Sequence, residues 1–222
     1  MTLASIVIVA LLAPGGAAIA TTPSSLLADV QTYYANTKQL TAQFEQTVTY
    51  AAYGTSQNST GVVMLAKPDK MRWDYAGKKK GPARKSFIFD GKTLWIVEPS
   101  NLMATKSAAS NGMLPAALSF LTGSAKLTND FEITLATKSP HGVTVLELAP
   151  KQPSAQYKQL FFVVAKDGHV EKSIVIDSSD NTNEFRFSAI DAKTPIKTTL
   201  FTFDPKRVPT YKIIDANAPT TP

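Results

Sequence analysis

Phe87-Ile88-Phe89-Asp90-Gly91-Lys92-Thr93-Leu94-Trp95-Ile96-Val97 is the stretch on which the fold turns. Two runs of aromatic and β-branched residues flank Asp90-Gly91, a two-residue hairpin signal. Outward on the N-terminal side, Met71, Trp73 and Tyr75 alternate with Arg72 and Asp74. Residues 61–67 form a β-rich run stopped by Pro68-Asp69. Before that, Ala42, Phe44, Gln46 and Val48 face one way, and Gln43, Glu45, Thr47 and Thr49 the other. On the C-terminal side, residues 131–136, 143–148, 159–165, 170–177, 184–190 and 198–203 all read as strands. Turn signals at residues 139–142, Asp167-Gly168 and residues 178–181 separate them. Such close spacing favours antiparallel meanders over βαβ units. About eleven strands are expected, in a mainly β fold with a few helices.

Helical spacing is scarce. After Pro23-Ser24-Ser25, the residues Leu26, Leu27, Val30, Tyr33 and Tyr34 recur at helical intervals, with Ser24 as a cap and an end by Lys38. Residues 106–112 are small and polar and read as a loop. Residues 113–121 then read as a short apolar helix ended by Gly123. Two short helices are little cover for the inner face of so many strands. A curled sheet under a thin lid would leave an apolar cavity, and periodicity leaves open whether that space is filled or hollow.

The N-terminus reads differently. An apolar run at residues 3–13, too short to span a bilayer, is followed by Pro14-Gly15-Gly16 and then Ala18-Ile19-Ala20, an A-x-A cleavage pattern. Residues 1–20 are therefore expected to be an export signal and residues 21–222 a single domain, the alternative being a buried N-terminal helix. Met1 and Thr2 lack the usual basic character of such a signal. With no Cys after the small residues, no lipid anchor on this chain is expected.

Composition narrows the chemistry. The chain has 222 residues, 44% of them hydrophobic, and a net charge of +6. It has no cysteine, so disulfides, thiolate nucleophiles and Cys-based metal sites are impossible. The basic residues are scattered apart from Lys78-Lys79-Lys80 and Arg84-Lys85. This cluster reads as a solvated turn, or as an electrostatic approach to anionic headgroups. No nucleic-acid motif accompanies it. The two histidines, His141 and His169, both fall in turns. No G-x-S-x-G elbow, H-E-x-x-H pair or phosphate-cradling glycine loop is present. Asp177 and Asp180 flank a turn and read as turn caps rather than a metal pair. No enzyme activity, catalytic residue, metal or cofactor is expected. The notable residues are large apolar side chains on strands, among them Trp95, Phe201 and Phe203 as well as those singled out below.

Ordered along the chain, several motifs carry a resemblance. They are Leu40-Thr41-Ala42-Gln43-Phe44-Glu45-Gln46 after the first helix, and the stretch from Gly61 to Trp73 with its Lys67-Pro68. The hairpin Asp90-Gly91-Lys92-Thr93-Leu94-Trp95 with Glu98-Pro99 follows, then Lys158-Gln159-Leu160, Asp167-Gly168 and Phe201-Thr202-Phe203-Asp204-Pro205. This set resembles the LolA family of lipoprotein carriers across nearly all of residues 24–215. The resemblance implies an incomplete antiparallel β-barrel with a short-helix lid over a hydrophobic cavity. It implies a periplasmic chaperone, expected as a monomer, that binds the acyl chains of lipoproteins. The cargo would come from an inner-membrane ABC-type releasing complex and pass to an outer-membrane receptor. Candidate cavity residues are Phe44, Val48, Met71, Trp73, Tyr75, Phe87, Phe89, Leu118, Leu121, Phe161, Phe185 and Phe187. In the family an Arg linked to lid closure precedes the proline. Here Lys67 stands in that latch position, and Met103 lies near the place of a family Gln. Competing readings are a carrier of other lipids on the same fold, a secreted hydrolase of lipid-like substrates, and a basic adhesion module.

Overall fold

The computed structural model describes residues 22–77, 83–108, 127–136, 144–154 and 157–217. Helix α1 (Pro23–Asn36) precedes β1 (Gln39–Tyr50), β2 (Thr55–Ala66), β3 (Lys70–Tyr75), β4 (Lys85–Phe89), β5 (Thr93–Glu98) and β6 (Met103–Ala108). A helical turn at Leu127–Asp130 leads into β7 (Phe131–Leu135), β8 (Val145–Pro150), β9 (Gln159–Val164), β10 (Val170–Ile176) and β11 (Thr182–Asp191). Short 3-10 turns at Thr198–Phe201 and Pro205–Arg207 precede β12 (Lys212–Asp215).

Among the described residues, the twelve strands belong to one sheet, ordered β12-β6-β5-β4-β3-β2-β1-β11-β10-β9-β8-β7. Two meanders, β1 to β6 and β7 to β11, are thus stitched together by the antiparallel pair β1–β11. The two ends of the order do not pair, so the barrel is open, as the resemblance implied. The seam tolerates an irregularity. Thr41 pairs with Asp191 but Gln43 with Ser188, and Ala189 in the extra length of β11 takes a positive φ of 48°.

Several sequence readings are corrected. Residues 198–203 are not a strand. They wind into the 3-10 turn at Thr198–Phe201, and the Arg72 guanidinium donates to the Leu200 carbonyl at 2.9 Å. Residues 106–108 are not loop but the end of β6, whose Ala104 and Ser107 are buried. The antiparallel rule fails once: β12 pairs with β6 in parallel, with Lys212 opposite Met103. One expected strand is lost and two unexpected ones, β6 and β12, are gained. The Asp90 turn also takes in Lys92, because the Asp90 carboxylate accepts from the Lys92 and Thr93 N–H groups at 2.8 Å. Helix α1 is capped by Thr22 rather than Ser24. Thr22 and Ser25 exchange side-chain-to-backbone hydrogen bonds, a capping box with Pro23 in the first turn.

The sheet has two unlike faces. The inner face carries the main core, which runs from Leu40, Ala42 and Phe44 on β1 to Leu160 and Phe162 on β9 and includes Leu26, Leu27, Val30 and Tyr34 of α1. The outer face of β4 to β6 has a smaller core of Ile88, Val97 and Ala104, packed against Trp95, Phe203 and Tyr211. The C-terminal segment therefore seals the back of one half of the sheet.

Candidate functional site

The inner face gathers aromatic rings at the centre of the stitched sheet. Phe44 lies 4.9 Å from Trp73, 5.0 Å from Tyr75 and 5.9 Å from Phe185, centroid to centroid. Trp73 reaches Phe185 at 5.2 Å and Phe187 at 6.1 Å, and Tyr75 reaches Phe87 at 6.0 Å. The geometries are mostly edge-to-face, the preferred packing of ring quadrupoles. Local chemistry explains the closeness. Phe44, Gly61 and Tyr75 form one cross-strand row, and the glycine lets the two flanking rings meet over bare backbone. Phe44, Trp73 and Phe185 are buried, whereas Tyr75, Phe87 and Phe187 are half-exposed along the margin. Two cations stand on that margin: the Arg84 guanidinium 5.7 Å from the Tyr75 ring and the Lys85 ammonium 5.2 Å from the Phe87 ring.

Helix α1 roofs the other part of the inner face, against β7 and β8. Its buried Tyr34 hydroxyl accepts from the Val170 N–H at 3.2 Å, and the β9–β10 turn at Gly168 abuts the Asp29 carbonyl. The end of the helix has no basic residue of its own. Lys67 supplies the cation from the β2–β3 connection, donating from Nζ to the Tyr34 carbonyl at 2.6 Å and the Ala35 carbonyl at 2.9 Å. Thr37 donates to the Tyr33 carbonyl at 2.7 Å. Replacing Lys67 with methionine should lower stability by about 1 kcal/mol, since water can reach these carbonyls. Denaturant titration checks this.

Burial pushes the Tyr75 phenol up to about 12, with Arg84 opposing. Burial also raises Tyr34, opposed by its Val170 hydrogen bond. Both phenols fold neutral with raised pKa values. Their contribution is complete below pH 10.0, the ordinary phenol value; for Tyr75 it is lost as pH climbs through about 12, and Tyr34, more deeply buried, gives way later. Unfolding should therefore set in within that alkaline window, together with tyrosinate absorbance, and Tyr34→Phe should move its onset upward. Loss of structure well below the window would contradict this.

The structure brings together Phe44, Met71, Trp73, Tyr75, Phe87, Phe89, Phe185 and Phe187 in one inner cluster. Val48 lies farther along the same face of β1, half-buried near the β1–β2 hairpin. Phe161 is corrected: it sits on the opposite face from Phe162, which is the buried member of the pair. Leu118, Leu121 and the helix expected at 113–121 lie outside the described residues, as do Lys78, Lys79, Lys80 and His141. Sequence reasoning missed Leu146, Leu148, Leu160 and Phe162, the apolar floor beneath α1. In β9 the run Leu160-Phe161-Phe162-Val163-Val164 is apolar throughout, so alternation could not assign its faces. Asp177 accepts from the Ser179 and Asn181 N–H groups, as a turn cap does. The outer groove of about 650 Å³ beside the C-terminal segment sets Arg72, Asp74, Asp204 and Arg207 beside Ile88, Val97 and Phe203.

This chain, an open sheet with an aromatic floor beside a helix-covered part, matches a known family. The profile described as "Outer membrane lipoprotein carrier protein LolA" covers residues 35–204. The chain belongs to the LolA family. A relative from Coxiella burnetii, named outer-membrane lipoprotein carrier protein, is 31% identical over 188 residues, 83% of this chain and 82% of that protein. One of the same name from Xanthomonas oryzae pv. oryzae is 29% identical over 161 residues, 72% of this chain and 75% of that protein. An uncharacterized conserved protein from Thermus thermophilus shares the fold, with a TM-score of 0.54 at 9% identity over 86% of this chain and 98% of that one. In this member of the LolA family, Lys67 contacts the carbonyl end of α1.

Proposed function

We propose that this chain is a periplasmic lipoprotein chaperone. It binds the acyl chains of lipoproteins released from the inner membrane and delivers them to an outer-membrane receptor. Residues 1–20 serve as its export signal. The observation that carries this reading is the contiguous aromatic floor of Phe44, Trp73, Tyr75, Phe185 and Phe187 on the inner face of an open sheet. The names borne by its relatives support it. The physical need is plain. Each buried methylene is worth about 0.8 kcal/mol, so exposed acyl chains insert or aggregate rather than cross water. A carrier must shield them and still release them, which a floor buried at its centre and half-exposed at its margin permits.

The test is a release assay. Protein lacking residues 1–20 is added to spheroplasts, and lipoproteins are expected in the soluble fraction bound to it. Free lipid bound without lipoprotein would point to a carrier of other lipids, and turnover of an ester substrate to a hydrolase. Lys67 gives a finer test. A flexible ammonium holds the end of α1 less rigidly than a guanidinium fork would. Lys67→Arg should therefore retain bound lipoprotein longer, and equal release rates for the two would remove the latch role.

A further inference from the structure

Among the described residues, two polar atoms are buried on the inner face without a hydrogen-bond partner: Nε1 of Trp73 and Oγ of Ser173. Both residues are almost fully buried, at 3% and 1% exposure. They flank the same ring. Trp73 lies 5.2 Å from Phe185, and Ser173 is the cross-strand partner of Phe185 on β10. Ser173 also pairs with Phe162 on its other side, so a small hydroxyl sits between two phenylalanines in the middle of an apolar row.

Folded proteins seldom leave buried donors unmet, and each one requires an explanation. An indole N–H can only donate, and a serine hydroxyl can do so too. Hydrocarbon cannot satisfy either. Among groups that travel with acyl chains, ester carbonyls are acceptors that carry no donor of their own. Resting on the carrier reading above, we infer that Trp73 and Ser173 are carbonyl anchors. They hydrogen-bond the ester carbonyls of bound acyl chains beside Phe185, so the site selects ester-linked chains over plain alkyl chains. Binding moves the rings that cover these atoms and gives both donors their acceptor.

The probes are a dipalmitoyl-glyceryl lipopeptide and its dihexadecyl ether counterpart, which have nearly the same apolar length but differ in carbonyls. Each hydrogen bond is worth roughly fivefold in affinity. Wild type should bind the ester roughly tenfold or more tightly than the ether. Trp73→Phe and Ser173→Ala should each shrink the preference for ester over ether by about fivefold, whatever they do to the two affinities in common. A readout independent of any variant is available, because the chain has two tryptophans. The Trp73 indole N–H resonance should shift downfield with the ester and not the ether, while Trp95, on the outer face, stays in place. Equal affinity for the two probes, or an unmoved Trp73 resonance at saturation with ester, overturns the inference and leaves the carrier reading standing. Failure of wild type to bind either probe overturns both.

Discussion

Replacing Gly61 with alanine should leave little folded protein. A Cβ at this position would stand 2.1 Å from the Asp74 carbonyl oxygen and 2.5 Å from the Phe44 ring. The ring could move, but the carbonyl belongs to the neighbouring strand and is fixed by the β2–β3 register that pairs Gly61 with Tyr75. Overpacking in a core ordinarily costs about 1–3 kcal/mol. Here the obstacle is backbone, so a loss of at least about 3 kcal/mol is expected, a large share of a domain's stability. Soluble yield and the thermal midpoint measure it. A second variant separates the two obstacles. Adding Phe44→Ala removes the ring and leaves the carbonyl, so the pair should recover little. Wild-type melting of Gly61→Ala would mean that β2 and β3 are not held at this separation.

Gly168→Ala should act differently, releasing the roof while the sheet stays folded. Gly168 turns β9 into β10 at a φ of +93°, where an L side chain is strained. Its Cβ would also meet the Asp29 carbonyl oxygen at 2.5 Å and Tyr33 Cβ at 3.2 Å, both on α1. Backbone strain of this kind costs about 1–3 kcal/mol, and undocking the helix relieves the contact. Amide exchange in α1 should therefore speed up sharply while β1 to β3 remain protected. Tyr34, no longer buried, should titrate nearer its ordinary value. Uniform loss of protection across the sheet would contradict a local effect, as would an unchanged α1.

What could be read in advance follows from which signals are local. Alternation at Met71-Arg72-Trp73-Asp74-Tyr75 named the face that the structure uses, because charged residues mark the other side. The Asp90 turn was legible because its carboxylate bonds its own backbone. Three features were not. β6 is built from Met103-Ala104-Thr105-Lys106-Ser107-Ala108, residues that favour a loop until β5 and β12 pair on either side of them. Residues 198–203 have strong strand propensity, yet in the fold β12 occupies the free edge of β6. Phe161 and Phe162 are chemically the same, and only pairing with Glu147 and Leu146 on β8 gives them opposite faces. In the candidate site, the aromatic residues were visible as side chains. Their convergence depended on the β1–β11 seam, which joins residues more than a hundred positions apart.

The parallel strap of β12 on β6 bears on how the molecule behaves in a crowd of its own kind. Any sheet that is not closed offers two rims of unsatisfied backbone, and two open rims allow molecules to add end to end without limit. Here one rim is finished by the chain's own tail, a strand of only four residues with Lys212 and Asp215 at its ends. Among the described residues β7 forms the other rim. A rim blunted by so short and charged a strand disfavours growth from that side. The tail is in this sense a chain terminator, and trimming it from residue 212 onward would restore a second growing end.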